Sequence, residues 1–240
     1  MREKRSENRD VFEEVFDQTT RLTVYNLLNR GVLDRLHGVV KAGKESRVYR
    51  GIDLKGKELA VKIYLTTSAE FRRGMLLYIQ GDPRFSRVRQ ETKSLVYAWA
   101  LREFKNLQKA YAVGVRVPKP VTVSKNVLVM EFIGKNGVPA PLLKDEGPRK
   151  PVETYNRILK YMKLLYQKAG LVHGDLSEYN IMMWKNRPII FDVSQAVPLE
   201  HPMAHSFLRR DIVNVNKYFE RFGCRMRELE EVYKWVTKVD

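Results

Sequence analysis

A single cysteine, Cys224, stands among 240 residues, so no internal disulfide and no multi-cysteine metal site can be built from this chain. Long apolar runs are missing too: charge-free stretches such as Val127–Met130 and Pro188–Phe191 fall far short of the roughly 20 residues that cross a bilayer. Met1–Asp10 is charged and leads into no apolar stretch with a small-residue cleavage site. No secretory signal is expected, and a reduced, cytoplasmic setting follows. No segment recurs at a period of about 20–50 residues, which removes solenoids and arrays. Acidic residues are scarce beside basic ones. With 28 Asp and Glu against 44 Lys and Arg, the formal charge is +16, more than solubility asks of a domain and a pointer to an anionic partner.

What is present, 44% apolar and 30% charged residues, suffices for one large domain or two small lobes with a hydrophobic core, since a chain of this length buries about 70% of its unfolded surface. Val11, Val15, Leu22, Tyr25 and Leu28 repeat at helical spacing up to Gly31, predicting a helix within an N-terminal extension, 1–35. The pattern then shortens. Leu36–Lys41, Arg47–Ile52 and Glu58–Leu65 are rich in β-branched and aromatic residues and are separated by Gly43-Lys44-Glu45 and Asp53–Gly56, the marks of three antiparallel strands. Thr66–Arg89 has scattered arginines, Gly81-Asp82-Pro83 and no sustained period, which predicts a flexible loop over 66–90. Val96, Trp99, Ala100, Phe104, Leu107 and Ala110 form a helical stripe within Lys93–Val113. A strand pair, Val121–Val123 and Val127–Phe132, completes a β-rich lobe over 36–133. The Gly/Pro-rich stretch 134–150 reads as a hinge. A helix-rich lobe, 151–240, follows, with a helix at Val152–Ala169, strands at Ile181–Trp184 and Ile189–Phe191, and helices near Met203–Phe222 and Met226–Lys238. The expected class is α+β, with two lobes.

Gly38 and Gly43-Lys44 superficially fit a Walker phosphate loop, but Glu45 stands where a Ser or Thr must hold Mg²⁺, and strand rather than helix follows. The strand–turn–strand Lys41–Tyr49 can instead cover a nucleotide, Gly43 letting the backbone approach a phosphate and Ser46 donating to it; an ordinary hairpin turn accounts for the same residues. In Ala60–Tyr64, period two places Lys62 with Ala60 and Tyr64 on one face and Val61 and Ile63 on the other. That face is either solvent or a cleft where a fixed cation meets the α- and β-phosphates. Glu103, on the later helix beside an inward Phe104, is the expected partner of Lys62, with Glu91 as its rival.

The densest chemistry lies in His173–Asn180 and Ile189–Asp192. Asp175 and Asn180 are spaced D-x4-N, and Asp192 follows 12 residues later at the end of a strand. Phosphoryl transfer needs a carboxylate to accept the incoming hydroxyl's proton, and an amide and a second carboxylate to hold Mg²⁺, because hard cations choose oxygen ligands. Asp175, Asn180 and Asp192 supply these in that order.

With Ala42–Ser46, Ala60–Tyr64, Met130–Ile133, His173–Asn180 and Phe191–Gln195, the chain resembles the RIO family of atypical protein kinases, over about two thirds of its length. Leu176-Ser177-Glu178-Tyr179 and Asp192-Val193-Ser194-Gln195 are similar to the type-one branch, and an extension of about 35 residues is too short for the winged-helix domain of type two. The resemblance implies a protein-kinase-like two-lobed fold with a truncated C-lobe. It also implies ATP with Mg²⁺ (or Mn²⁺), and Lys62, Asp175 and Asp192 as catalytic residues, with Asn180 and Asp192 on metal. Gly43, Lys44, Glu45, Ser46 and Val48 would line the nucleotide with Lys62, the backbone of Glu131 and Ile133 would bind adenine, and Met130 would be gatekeeper. Ordinary protein kinases differ: Gly174 replaces their Arg, Val193 and Ser194 replace the Phe-Gly pair, no Ala-Pro-Glu follows, and only 48 residues remain after Asp192. RIO proteins are similar in lacking these parts; the family is described as autophosphorylating serine kinases and as ATPases of small-ribosomal-subunit maturation.

Two rivals stay open. Aminoglycoside- or choline-type small-molecule kinases share His-Gly-Asp-Leu but usually carry Gly before the Asn, where this chain has Glu178-Tyr179. A nucleotide-holding RNA scaffold without turnover is the other. Basic residues gather at Arg72-Arg73, Arg84, Arg87 and Arg89, at Arg102, Lys105 and Lys109, and at Arg209-Arg210, Lys217, Arg221, Arg225 and Arg227. They suit phosphate contacts on ribosomal precursor RNA or plain solvated helix faces. Thr66, Thr67, Ser68 and Ser86 are candidate autophosphorylation sites. His201 and His205 lack a third metal ligand, His173 suits orientation of its loop, and Cys224 suits packing.

Overall fold

A computed structural model describes residues 16–66 and 69–238. Five alternating segments, β1 (Arg35–Ala42), β2 (Ser46–Ile52), β3 (Glu58–Tyr64), β4 (Pro120–Ser124) and β5 (Val127–Glu131), form one antiparallel sheet in the order β1-β2-β3-β5-β4. Gly56 between β2 and β3 and Lys125 between β4 and β5 take positive φ, 78° and 51°, which closes those hairpins tightly. One face of the sheet carries Tyr49, Val61, Ile63, Val127 and Val129. It packs with Phe16 and with Val24 and Leu27 of helix α1 (Gln18–Asn29). Asp17 starts that helix: its carboxylate accepts the Thr20 N–H at 2.7 Å and pairs with Lys93 at 3.2 Å. Val11 and Val15, expected in the same helix, lie outside the described residues.

The described part of the stretch 66–90, expected as a flexible loop, is largely helical. It contains helix α2 (Ala69–Ile79) and a 3₁₀ turn, Pro83–Phe85, capped by Asp82. Met75, Tyr78 and Phe85 are buried, and the Tyr78 ring packs on Phe207 at 5.1 Å. The apolar period there is brief and broken by Arg72-Arg73 and Gly74, so burial against residues distant in sequence, not local pattern, settles the helix. Thr67 and Ser68 lie outside the described residues.

Contacts divide the described residues into two units. The first takes those up to Gly74, Arg87–Phe104 and Pro120–Pro139; the second takes Met75–Ser86, Lys105–Lys119 and the chain from Ala140. Both units draw on helix α3 (Thr92–Ala112), the division falling after Phe104. The expected hinge 134–150 is structured as well. A small hairpin, β6 (Gly134–Lys135) with β7 (Val138–Pro139), counts with the first unit, and the one-turn helix α4 (Leu143–Glu146) with the second. Glu58 braces the hairpin, accepting the Gly137 N–H at 2.6 Å and the Arg50 Nε–H at 2.7 Å.

In the second unit helix α5 (Pro151–Gln167) begins on proline, where the missing N–H costs nothing. Strand β8 (Leu171–Val172) leads into the loop that carries Asp175, and hairpin β9 (Ile181–Trp184)/β10 (Arg187–Ile190) into Asp192. A 3₁₀ turn (Val193–Gln195) and strand β11 (Val197–Pro198), paired with β8, follow. Helices α6 (Ala204–Glu220) and α7 (Leu229–Thr237) complete the unit and pack with α5. No described helix is long and apolar enough to cross a membrane.

Candidate active site

Strand register gathers the first group of expected residues. Lys62 lies opposite Val48 on one side and Leu128 on the other, Ser46 lies opposite Tyr64, and Ala60 opposite Met130. Cross-strand partners share a face and residues two apart return to it, so Ser46, Val48, Ala60, Lys62 and Met130 occupy one side of the sheet, opposite to the face under α1. Lys62 does not face solvent: it is 6% exposed. Its Nζ donates to Glu103 Oε1 at 2.9 Å, while the Tyr64 hydroxyl donates to Glu103 Oε2 and the ammonium lies 5.0 Å over the Tyr64 ring. Glu91 is exposed and lies 3.9 Å from Arg89. Glu103 holds a position in the buried stripe of α3 together with Asn106, whereas Phe104 is only half-buried. A buried charge pair survives in such a place because each charge is compensated and additionally hydrogen-bonded.

The β1–β2 hairpin closes with the Gly43 N–H donating to Ser46 O at 2.9 Å, and Glu45 O accepts from Leu65 N at 2.9 Å. A side chain at Gly43 would bring its Cβ within 3.2 Å of Ser46 O, a contact tight enough to favour glycine in the turn. Lys44 is exposed and Glu45 half-buried. At the end of β5, Glu131 pairs with Leu59, and the Phe132 N–H reaches Glu58 O at 3.4 Å, leading to the buried Ile133.

The second group is held by hydrogen bonds to the backbone. Asn180 donates from Nδ2 to the Asp175 carbonyl and, at 3.2 Å, to Asp175 Oδ2. The Phe191 N–H donates to Asn180 O at 3.0 Å, tying the Asp175 loop to the segment that leads from β10 to Asp192. Asp192 itself adopts left-handed backbone, φ 57°, and accepts from the Ser194 hydroxyl at 2.8 Å. A non-glycine residue held there is strained by about 1–3 kcal/mol and persists only where its surroundings over-determine it. Those surroundings are on both flanks. Asn106 donates from Nδ2 to Val193 O at 2.9 Å and Ala196 O at 3.0 Å. Arg84 donates to Asn106 Oδ1 at 2.8 Å and to Ala196 O at 3.0 Å while gripping Asp82 with both Nε and Nη2.

Sequence reasoning missed the anchor of the Asp175 loop. Asp211, fully buried on the apolar stripe of α6, accepts the Gly174 N–H on Oδ2 and the Leu176 N–H on Oδ1, both at 2.8 Å. Burial pushes its carboxyl up to about 7, although the two N–H groups and Arg210 pull the other way. An acid among Phe207, Leu208, Ile212 and Val215 was the available signal. Arg210 donates to the Gly174 carbonyl and to the Tyr78 hydroxyl, holding the same residue through its other backbone group. Gly174 takes φ 81°, and a Cβ there would approach Gln195 O to 3.2 Å, which explains glycine where ordinary kinases carry arginine. His173 is buried and accepts the Asp175 N–H at 3.3 Å; burial drives its imidazole down to about 4, which keeps it neutral at neutral pH. Burial raises the Asp175 carboxyl too, the Asn180 bond and Arg210 opposing, the Asp192 charge reinforcing.

Asn180 and Asp192 offer an amide oxygen and a carboxylate, both hard donors. The described residues contain no group of three or more His, Cys, Asp or Glu able to hold a metal by themselves. Two oxygen donors suit Mg²⁺, which keeps water and phosphate oxygens in its shell and does without an all-protein cage. His201 and His205 do not converge: His201 is buried, accepts the Met203 N–H and stacks on Phe207, while His205 meets the Tyr233 hydroxyl at 2.7 Å. Several of the expected phosphate-contacting cations are spent internally. Arg84 and Arg210 hold the site, Arg102 is buried 3.5 Å over the Trp99 ring, and Arg209 pairs with Glu230; Arg87, Lys105, Lys109, Lys217, Arg221, Arg225 and Arg227 remain exposed.

Residues 47–232 match the RIO domain. The RIO-type serine/threonine-protein kinase Rio1 of Haloferax volcanii is 39% identical over 237 residues, covering 99% of this chain and 81% of that protein. Rio1 of Methanocaldococcus jannaschii is 40% identical over 227 residues, covering 93% and 76%. The serine/threonine-protein kinase RIO1 of Homo sapiens is 36% identical over 96% of this chain, which spans 41% of the human protein. Among solved structures, the Rio2 kinase-ADP/Mg²⁺-phosphoaspartate complex from Chaetomium thermophilum aligns with a TM-score of 0.68 and 25% identity, over 90% of this chain and 66% of that one. The matched domain takes in Val48, Lys62, Glu103 and the whole stretch from Met130 to Asp211, and the chain therefore belongs to the RIO family, as a Rio1-type serine/threonine protein kinase.

Proposed function

We propose that the kinase uses Mg²⁺-ATP, transfers its γ-phosphoryl group to serine or threonine, its own included, and serves small-ribosomal-subunit maturation in the cytoplasm. One observation carries the catalytic part: Asp175 and Asn180 are hydrogen-bonded to each other, and Asn180 is tied through Phe191 to the segment that carries the strained Asp192 just after β10. Asp175 takes the role of proton acceptor for the attacking hydroxyl, its raised carboxyl suiting a group that must bind a proton in the transition state. Lys62, fixed by Glu103, is assigned to the α- and β-phosphates. Gly43, Lys44, Glu45, Ser46 and Val48 are assigned to cover the nucleotide, the Glu131 and Ile133 backbone to hold adenine, and Met130 to the gatekeeper position. Asn180 and Asp192 are assigned to Mg²⁺, which when bound neutralises charge on the phosphate oxygens.

The Rio2 relative was captured with ADP, Mg²⁺ and a phosphoaspartate. Asp192 is the proposed counterpart: a carboxylate oxygen forms a bond to the γ-phosphorus as the bond to ADP breaks, and water then releases phosphate, which is ATPase turnover. The ribosomal partner rests on the exposed cations and the +16 charge. Binding to precursor RNA is then expected to weaken as salt rises.

Incubation with γ-labelled ATP tests the assignment. The native chain incorporates label, and Asp175→Ala loses at least about a hundredfold in rate. Equal labelling of the two proteins overturns the enzymatic reading. Label on Asp192 is distinguished from phosphoserine by its release with hydroxylamine and its absence in Asp192→Asn.

A further inference from the structure

The carbonyl of Gly174, one residue before Asp175, receives donors from two helices: Arg210 reaches it from α6, and the Tyr78 hydroxyl reaches it from α2 at 3.4 Å. Arg210 also donates to the Tyr78 hydroxyl oxygen at 3.0 Å. The three groups therefore close a triangle. Tyr78 is 6% exposed, its ring lies 5.1 Å from that of Phe207, and the Arg210 guanidinium sits 4.9 Å over the Phe207 ring. Arg210 is exposed. A long exposed side chain keeps its rotamer freedom unless something holds it, and here the buried hydroxyl and the ring beneath do so. Tyr78 belongs to the segment Met75–Ser86, whose Arg84 donates to the Ala196 carbonyl at 3.0 Å and to Asn106. One short segment thus grips the backbone of both catalytic stretches. It passes close to the start of α6: at Gly81, φ 84°, a Cβ would stand 2.6 Å from Pro202.

We infer that Tyr78 is a positioning residue for phosphoryl transfer, fixing Asp175 through the Gly174 carbonyl and through Arg210, so that helix α2 takes part in setting the site. The inference rests on Asp175 as the proton acceptor proposed above. Gly174 takes φ 81°, a conformation that glycine enters and leaves freely, so the aim of the next residue depends on what pins its two backbone groups. Asp211 pins the N–H; Tyr78 and Arg210 pin the carbonyl. That carbonyl and the Asp175 N–H share one rigid peptide plane, whose other end donates to His173 Nδ1 at 3.3 Å. Tilting the plane carries the Asp175 backbone with it. A general base works only within hydrogen-bond reach of the proton it takes, and a displacement of about 1 Å costs about a hundredfold in rate. The hydroxyl matters separately from the ring. Phenylalanine would fill the same space beside Phe207, whereas a buried hydroxyl is costly unless paired, and this one is paired with the two groups that reach the catalytic loop.

The test is single-turnover labelling of the full chain from γ-labelled ATP over a series of ATP concentrations, at a temperature where circular dichroism shows every variant folded. Tyr78→Phe keeps the ring and removes the hydroxyl alone. Its maximal rate is expected to fall at least about tenfold while the half-saturating ATP concentration stays within about twofold of native, a split that a merely structural role would not produce. Arg210→Met, a change on an exposed side chain, tests the same path independently and should also slow the maximal rate. Because both side chains act on one carbonyl, the double variant should be within about threefold of the slower single variant. An unchanged maximal rate in Tyr78→Phe, a loss confined to ATP affinity, or losses that multiply in the double variant overturns the inference. Asp175→Ala, run alongside, keeps the two readings apart. Native labelling in Asp175→Ala removes the assignment of Asp175 and this inference with it, whereas its loss there beside an unchanged Tyr78→Phe overturns this inference alone.

Discussion

Replacing Asp211 with Asn should change how stability depends on pH. The carboxyl is fully buried and raised from 3.8 to about 7, burial being the leading cause. A carboxyl whose folded pKa lies above its unfolded one favours folding most below the unfolded value. That advantage is lost as pH rises from about 4 towards 7, because the unfolded chain ionises freely while the folded one resists. Linkage between those two values gives about 2.5 kcal/mol of lost stability from pH 5 to pH 8, as an order of magnitude. Asn cannot titrate, so the variant lacks this slope. It carries a separate penalty of about 1–3 kcal/mol that does not vary with pH, because its amide nitrogen faces either the Gly174 or the Leu176 N–H and leaves that donor unpaired. Urea unfolding of both proteins at pH 5, 6, 7 and 8 separates the effects: the native chain should exceed the variant by most at pH 5, the gap narrowing by about 2.5 kcal/mol at pH 8. A gap constant across that range would mean that Asp211 is ionised throughout, its two N–H bonds outweighing burial, and would refute the reasoning.

Glu103→Gln leaves the Lys62 ammonium buried without a compensating charge and should destabilise the protein by about 3–5 kcal/mol, measured by urea midpoint, with a raised KM for ATP. Asn106→Ala uncouples Arg84 from α3 and strips donors from the Val193 and Ala196 carbonyls; a loss of about 2–3 kcal/mol in stability is expected, with a several-fold rise in the Mg²⁺ concentration needed for half-maximal labelling. Unchanged metal dependence would show that the network does not position Asp192. Gly174→Ala forces an L-residue into φ 81° with its Cβ 3.2 Å from Gln195 O, costing about 1–2 kcal/mol and shifting the neighbouring Asp175; single-turnover labelling should slow more than ATP binding weakens.

What the sequence by itself determined was local or nearest-neighbour in kind. Alternation placed Lys62 opposite the face of Val61 and Ile63, and tight spacing delivered Asp175 and Asn180 on one loop with Asp192 at a strand end; strand register then brought Ser46, Val48 and Met130 to the same face as Lys62. Helices with long stripes, α3, α5 and α6, emerge within a residue or two of the pattern, because an amphipathic face is written in its own segment. Tertiary structure alone decided the rest. Helix α2 exists because Tyr78 packs on Phe207, far along the chain, and Arg102, basic by sequence and expected at the surface, turns inward because the Trp99 ring receives it. Asp211, Asn106 and Arg84 have no local signature strong enough to announce them, since a polar group on an apolar stripe looks like an error until the backbone atoms that satisfy it arrive from tens of residues away. Buried polar groups are stable only when such partners are supplied, and which partners arrive is decided by chain closure rather than by composition.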